Sequence, residues 1–219
     1  MATPLSSDPN LAAFGSSLTA ITLAELGDKT FFMALILAVR HRARWVFIGS
    51  FAALTAVTLI SLALGYGLRE LLPQSLVPWL AAVLFLSFGI KLLIDAQGMA
   101  ANAATEEKAE AEQVINTAES SKVFNTAWAV IWEAFVLVFI AELGDRTQFT
   151  TIFMATAPAQ VFSFGGLLAG TLLGHALVTW LAVGAGKWIG QWVNERLLYR
   201  LSGGLFLVFG LAALSQALS

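Results

Sequence analysis

Six long apolar stretches constrain the fold of this chain more than any other feature of its sequence. A transmembrane helix needs about 20 mostly apolar residues to cross the hydrocarbon core of a bilayer, and each stretch meets that length. The stretches are continuously apolar, whereas the strands of a membrane barrel are short and alternating. We therefore predict an all-α integral membrane protein with six transmembrane helices. The predicted spans cover roughly residues 11–39, 45–68, 77–96, 124–156, 161–187 and 198–218.

The charge content supports this class of protein and excludes several others. Only 12% of the 219 residues are charged and 58% are hydrophobic, whereas about 25% of a typical soluble domain is charged. A soluble chain of this length could not bury so much apolar surface. A net charge of −2 offers no basic patch for nucleic acid. The chain has no Cys and only 2 His, so neither disulfides nor thiolate metal sites are expected.

One hydrophilic segment separates the apolar stretches into two groups of three. Residues 97–122 combine many Glu and Ala residues, which favours a solvated helix or a flexible linker, with a regulatory role as the alternative to a plain connector. Lys and Arg are concentrated in this segment and in the first and fifth connections, so the positive-inside rule places these three in the cytoplasm. We predict a first three-helix repeat at 1–96, an acidic cytoplasmic linker at 97–122 and a second three-helix repeat at 123–219. Both termini are expected outside an inner (cell) membrane.

The two halves carry the same motif. Residues 24–30 read Ala-Glu-Leu-Gly-Asp-Lys-Thr and residues 141–147 read Ala-Glu-Leu-Gly-Asp-Arg-Thr, at an offset of 117. Later matches, such as Gly49 with Gly170, follow an offset of 121. Because each repeat contains an odd number of spans, we expect the second to be inverted relative to the first, as in many secondary transporters. The alternative is a duplicated scaffold that transports nothing.

Four carboxylates lie in the middle of predicted spans. A charged side chain at mid-bilayer costs about 2.5–3.5 kcal/mol even on the lenient insertion scale, so these residues must face the protein interior or a water-filled cavity. The Glu and Asp of each motif are three residues apart and would share one face of a continuous helix. If the repeats meet about a twofold axis, four carboxylates converge, and such close like charges cannot all ionise. The pocket would hold protons when empty and release them to a divalent cation. The four predicted metal ligands are Glu25, Asp28, Glu142 and Asp145.

Oxygen atoms dominate the side chains beside these carboxylates. Thr30, Thr147 and Gln148 are predicted supporting ligands, and such a set suits Ca²⁺, Mn²⁺ or Mg²⁺. Gly27 and Gly144 inside the motifs could permit a local helix break or a close helix crossing. Lys29 and Arg146 are candidate charge partners, and each lies four residues after the Glu of its own motif. They could pair with that Glu, or anchor the fold through backbone carbonyls or the partner motif. A buried ion-pair network without a substrate is the structural alternative for the whole cluster.

Other polar residues within the spans are weaker candidates for a proton or cation path. Glu133 could admit cations or extend to the interface. His175 could relay protons or be a hydrogen-bonded packing residue. Thr58 and Thr179 occupy matching repeat positions and either line the cavity or bond to the preceding helical turn.

The doubled Glu-x-Gly-Asp-(Lys/Arg)-(Ser/Thr) motif resembles that of the Gdt-type cation/proton antiporters. The resemblance covers nearly the whole chain, including both three-span repeats and the acidic linker. Eukaryotic members of that family act in the Golgi on Ca²⁺ and Mn²⁺, and bacterial and photosynthetic members include Mn²⁺ exporters. By this resemblance, seven residues match the family's motif positions: Glu25, Asp28, Thr30, Glu142, Asp145, Thr147 and Gln148.

These observations together predict a transporter and not an enzyme. We expect it to export Mn²⁺, with Ca²⁺ as a second candidate substrate, in exchange for protons, with the ion as a transported substrate and no permanent cofactor. Its partners are then the divalent ion, protons and the lipid bilayer, and no nucleic acid. The alternatives are Ca²⁺/proton exchange as the main role, a passive cation channel and a structural membrane subunit. An intramembrane aspartyl protease is a poor match, because Glu25 and Glu142 stand where its Gly-x-Gly-Asp motif needs the first glycine.

Overall fold

The computed structural model describes residues 8–98, 104–119, 126–157, 162–189 and 195–218, and every regular element in these ranges is an α-helix. Asp8 caps the first helix by accepting a hydrogen bond from the backbone of Asn10, and Pro9 takes the first helical position, where no backbone donor is needed. The helices are, in chain order, α1 (Pro9–Glu25), α2 (Lys29–Arg40), α3 (Ala43–Leu71), α4 (Val77–Gly98), α5 (Ala104–Glu119), α6 (Ala127–Glu142), α7 (Arg146–Thr156), α8 (Phe164–Ile189) and α9 (Glu195–Leu218).

Several of these helices have the length and composition of membrane spans. Among the described helices, α3, α4, α8 and α9 each pass that test alone, and α6 with α7 passes it as a pair bent by 68°. Large apolar side chains on their outer faces, such as Leu64, Val83 and Val208, are 50%, 67% and 60% exposed, as expected of a surface that faces lipid. The prediction of an all-α protein with membrane-spanning helices is confirmed, with four or five candidate spans. Six spans stay a prediction.

The first and fourth predicted spans are each interrupted by three residues. Helix α1 ends at Glu25 and α2 begins at Lys29, while α6 ends at Glu142 and α7 begins at Arg146. Each interruption coincides with one copy of the repeated motif. Backbone that leaves the helix at membrane depth is tolerated only where protein or water surrounds it, so we expect both breaks to lie away from lipid.

Helices of the two halves pack against one another in a reciprocal pattern. In the repeat, α1 to α4 correspond to α6 to α9. Helix α1 packs on α8, and its counterpart α6 packs on α3. Likewise α2 packs on α8 and α7 on α3, while α4 packs along α9. The halves are therefore interleaved, and exchanging them reproduces the main helix contacts.

A pair of matching glycines shows the same relation in detail. A Cβ atom on Gly49 of α3 would collide with the backbone oxygen of Ile131 in α6. A Cβ atom on Gly170 of α8 would collide with the backbone oxygen of Phe14 in α1. The two glycines are related by the offset of 121, and Phe14 and Ile131 by the motif offset of 117. The repeat thus builds one close helix contact twice.

The predicted linker at 97–122 contains the described helix α5, which packs on α2. Ala111 and Ile115 lie one turn apart on α5 and are fully buried in an apolar cluster that includes α2 side chains. The prediction of a solvated or flexible segment is therefore refined, since this part of the linker has a docked face. Its remaining residues at 99–103 and 120–122 lie outside the described ranges.

Candidate functional site

A left-handed glycine breaks the helix in each motif. Gly27 has φ of 78° and Gly144 has φ of 85°, a region that costs residues with a side chain about 1–2 kcal/mol. In both motifs the backbone N–H of the Asp then donates to the backbone oxygen of the Glu at 3.2 Å. The two breaks therefore share one backbone geometry, and the expectation of a break at the motif glycines is confirmed.

Each break leaves a carboxylate at the carboxyl end of a half-length helix. Glu25 is the last residue of α1 and Glu142 is the last residue of α6. The carbonyl groups in the final turn of a helix carry partial negative charge. A cation held near these ends would meet backbone and side-chain oxygens together, which is how broken helices coordinate ions in secondary transporters.

The two glutamates meet in the interior of the protein. Glu25 and Glu142 are 2% and 1% exposed, and their side chains interact directly. Thr30 Oγ1 donates a hydrogen bond to Glu25 Oε2 at 2.9 Å. Thr147 Oγ1 does the same for Glu142 Oε1. Within the described residues, the second oxygen of each glutamate has no hydrogen-bond partner, so each can still accept a proton or a cation.

Two of the weaker candidates lie beside these glutamates. His175 Nδ1 lies 3.6 Å from Glu25 Oε1, and both side chains are buried. Thr179 lines a small cavity beside the same carboxylate. Its repeat counterpart Thr58 donates instead to a backbone oxygen in the preceding turn of α3, at 2.8 Å. Thr58 therefore bonds to the preceding turn and Thr179 lies beside the Glu25 carboxylate, while a place for either in a proton or cation path stays a prediction.

The two aspartates line a second cavity, of about 340 Å³. Asp145 caps α7 by accepting a hydrogen bond from the backbone N–H of Thr147 at 3.4 Å. Asp28 begins α2 in the same way, but within the described residues around this break its carboxylate makes no capping bond. Its Oδ1 lies 2.7 Å from Nη2 of Arg146, the basic residue of the other motif. The aspartates thus share a cavity and differ in their partners.

The two basic residues of the motifs point to different places. Lys29 Nζ lies 3.2 Å from Glu110 Oε2 on α5, and Arg146 binds Asp28. The sequence left open whether each basic residue pairs with its own Glu, with backbone carbonyls or with the partner motif. For Arg146 the structure shows a contact with the partner motif. Lys29 takes a partner on the linker helix, which the sequence did not suggest.

Gln148 and Glu133 also have defined surroundings. Gln148 Oε1 accepts a hydrogen bond from the backbone N–H of Gly144 at 2.7 Å, so this amide supports the second break. Glu133 is buried, and its Oε2 lies 3.6 Å from Nε2 of His41 at the end of α2. The structure thus brings Gln148 to the motif and places Glu133 beside a histidine near the first connection.

The described part of the chain contains no group of three or more Asp, Glu or His side chains arranged to hold a metal ion. The four predicted ligands form instead two glutamates in contact and two aspartates that line a cavity. The guanidinium of Arg146 binds one of those aspartates. The assignment of these residues as metal ligands stays a prediction.

Comparison with known proteins identifies the family. The family model described as "Divalent cation/proton antiporter GDT1" matches residues 13–100 and 130–219, and each matched range contains one motif. The chain belongs to this antiporter family. Members of the GDT1 family are transporters and not enzymes, as the sequence predicted.

Relatives in the GDT1 family match most of the chain. It is 39% identical over 204 residues to a GDT1-like protein of Synechocystis sp., covering 93% of this chain and 97% of that protein. It is 30% identical over 245 residues to the divalent cation/proton antiporter GDT1 of Saccharomyces cerevisiae, covering 96% and 86%. It is 37% identical over 216 residues to the chloroplastic protein PAM71 of Arabidopsis thaliana, covering 94% of this chain and 57% of that protein. No solved structure matches the chain.

The structure adds polar residues that the sequence did not single out for this GDT1-family chain. Lys91 and Asp95, which lie four residues apart on α4, line the aspartate cavity together with Tyr199. Ser50 and Thr171 are buried, and among the described residues neither hydroxyl has a hydrogen-bond partner. The offset of 121 relates Ser50 to Thr171, so a comparison of the two repeats could have identified these two hydroxyls as equivalent.

Proposed function

We propose that this chain is a secondary active transporter that exports Mn²⁺ from the cytoplasm in exchange for protons, with Ca²⁺ as the alternative substrate. One observation carries the proposal: two buried glutamates in contact, each at the end of a half-length helix and each with one oxygen that has no hydrogen-bond partner among the described residues. The ion is a substrate that passes through the site and is not a resident cofactor.

Protons and the cation compete for the same oxygens. Glu25, Asp28, Glu142 and Asp145 can bind a divalent cation only when they are ionised. Two carboxylates in contact and away from water cannot both carry charge unless a cation compensates them. Departure of the cation therefore draws protons into the site, and its arrival expels them. This competition couples the two fluxes, and it makes cation binding weaken as the pH falls.

The proposed architecture is six spans in two inverted three-helix repeats, at 1–96 and 123–219, joined by a cytoplasmic linker at 97–122. The reciprocal helix packing and the duplicated glycine contact support a twofold relation between the halves. The distribution of Lys and Arg supports termini outside an inner membrane. Rocking of the interleaved halves about the motifs would give alternating access to the two sides.

The substrate class follows from the ligand chemistry. Carboxylate, hydroxyl and backbone oxygens suit Mn²⁺ and Ca²⁺, and the absence of Cys from the sequence disfavours soft metals. Both remaining cations fit this donor set, so they need a direct comparison.

Proton flux driven by a metal gradient tests the proposal. The purified full chain is reconstituted into proteoliposomes with an internal pH dye at zero voltage, and Mn²⁺, Ca²⁺ or Mg²⁺ is imposed as a gradient. We expect Mn²⁺ to drive counter-movement of protons, and Asp28→Asn or Asp145→Asn to abolish it. Glu112→Gln, which neutralises an exposed carboxylate on α5, is the matched control and should exchange normally.

Other outcomes would replace the proposal. Metal flux without proton movement would indicate a passive channel. Exchange that persists in both aspartate variants would exclude the motifs as the site. Absence of divalent cation binding by the purified chain would favour a structural subunit.

A further inference from the structure

The basic residues at equivalent positions of the two motifs differ in what they contact. Lys29 and Arg146 each follow the motif Asp by one residue and begin the second half-helix of their repeat. Lys29 extends away to Glu110 on α5, where the two side chains are 32% and 63% exposed. Arg146 crosses to Asp28 in the other half, where the side chains are only 17% and 9% exposed. Arg146 of the second motif therefore places its positive charge on Asp28 of the first motif. Lys29, the equivalent residue of the first motif, pairs instead with Glu110 on α5.

The contact between Arg146 and Asp28 is a persistent one by its chemistry. A guanidinium stays protonated at any pH a cell meets, so it cannot release the carboxylate by losing its own proton. Its hydrogen bond to a carboxylate at 2.7 Å is charge-assisted, and such bonds are stronger than those between neutral groups. The guanidinium also lies 5.5 Å from the ring centre of Tyr199, a second stabilising contact. Only a competing cation, or a proton on Asp28, can separate the pair.

We propose that Arg146 is a tethered counter-ion of the cation site, which occupies Asp28 until a divalent cation displaces it. The inference rests on the proposed function, because it takes Asp28 as a ligand of the transported ion. The internal cation keeps the carboxylate compensated between transport events. The guanidinium also makes the site selective for divalent ions. A monovalent ion would replace one positive charge by another, whereas a divalent ion attracts the carboxylates more strongly than the guanidinium does.

The surrounding cavity allows this displacement. Arg146, Asp28 and Asp95 line the same cavity of about 340 Å³. The guanidinium therefore has room to move, and Asp95 offers a second carboxylate within the same space. Tyr199, whose ring the guanidinium faces, lines this cavity as well.

Mn²⁺ binding to the purified full chain tests the inference, with unbound Mn²⁺ measured by its electron paramagnetic resonance signal. A competitor that holds its ligand about nine-tenths of the time weakens binding about tenfold. We therefore expect Arg146→Gln to bind Mn²⁺ about tenfold more tightly than the unchanged chain. Lys29→Gln is the matched control, because Lys29 occupies the equivalent position of the other motif and carries the same charge, while its ammonium pairs with Glu110 on α5. It should change the affinity by less than about twofold, since its own pair is exposed and screened.

Arg146→Lys provides the second variant. Lysine keeps the charge but loses the planar donor geometry, so Mn²⁺ affinity should fall between those of the unchanged chain and Arg146→Gln. Thermal unfolding of each variant checks that it is folded.

Three results would overturn the inference. Equal or weaker Mn²⁺ binding in Arg146→Gln would show that the guanidinium does not compete. Equal tightening in Lys29→Gln would show a general effect of charge. Arg146→Lys binding as tightly as Arg146→Gln would show that the retained charge does not matter. Each of these leaves the proposed function intact, whereas failure of the unchanged chain to bind Mn²⁺ or Ca²⁺ would remove both.

Discussion

The two copies of the motif have the same backbone and different surroundings. Both break a helix at a left-handed glycine, and both present a buried glutamate held by the threonine five residues later. Yet Asp28 binds a guanidinium and Asp145 caps its own helix. The duplicated motif therefore forms the same backbone twice, while the residues around each copy give its aspartate a different partner.

The differences between the two breaks come from residues outside the positions that the two motifs share. Gln148 supports the second break, and the equivalent position in the first motif is Phe31. His175 reaches Glu25, and its repeat counterpart is Leu54. The first break instead receives a hydrogen bond from Ser202 Oγ to the backbone oxygen of Leu23, at 2.7 Å. Each half thus has its own means of stabilising the same irregular backbone.

Removing either buried glutamate should give the largest effect. We expect Glu25→Gln and Glu142→Gln each to lower metal-driven proton flux by at least about 100-fold, because each removes a charge that compensates the cation in a water-poor site. Proteoliposome exchange rates measure this. Full activity in one of the two variants would show that the halves are unequal at the glutamates as well.

Replacing the glycine at the second break should give the next largest effect. Gly144→Ala places a side chain at φ of 85°, with nothing within 4 Å to collide, so its cost is conformational alone. We expect about 1–2 kcal/mol of lost stability and a matching loss of transport. Gly15→Ala is the control, since Gly15 lies in the regular part of α1 with the same open space. Thermal unfolding in detergent compares them, and equal midpoints would contradict the strained backbone.

Removing the hydrogen bond between the Gly144 N–H and Gln148 should lower the stability by less. Gln148→Leu removes the acceptor for the Gly144 N–H and should destabilise the chain by about 1 kcal/mol, the net value of one such bond. The reciprocal change, Phe31→Leu, removes no hydrogen bond, so it separates the bond from packing. Unfolding midpoints of both variants test this, and a larger loss in the Phe31 variant would assign the effect to packing.

Breaking the Lys29 pair should have the smallest effect. The exposed contact with Glu110 is worth less than about 1 kcal/mol, so Glu110→Gln should leave proton exchange within about twofold of the unchanged rate. A severe loss of exchange would mean that α5 controls the first motif through this contact, and that the two basic residues are closer in importance than their burial indicates.

Part of this arrangement could be read from the sequence. Hydropathy is a local signal, so the apolar helices were predictable. The repeated motif predicted that all four carboxylates would converge, whereas the structure brings Glu25 and Glu142 together and leaves the aspartates at another cavity. The partners of Lys29 and Arg146 were not predictable from spacing, because the rule for residues four apart assumes a continuous helix. The glycine break puts each Glu and the following basic residue on different helices.

The remaining omissions have related causes. The buried face of α5 depends on Ala111 and Ile115, two apolar positions within a Glu-rich segment, so composition pointed to solvent. Asp95 and Lys91 looked like neighbours on one helix, and only the packing of other helices around them shows that they line the aspartate cavity. Each of these contacts joins distant parts of the chain, which no local pattern encodes.

The interleaved packing of the two halves has a consequence for biogenesis. The ribosome delivers the first half to the membrane before the second half exists. At that stage Glu25 lies at the end of a helix whose main neighbour, α8, is still unsynthesised. An acidic side chain there meets lipid or insertion machinery until the later helices arrive. Shielding of the first motif is therefore completed late in the life of each molecule, and truncation anywhere before α8 leaves that carboxylate without its contact to His175.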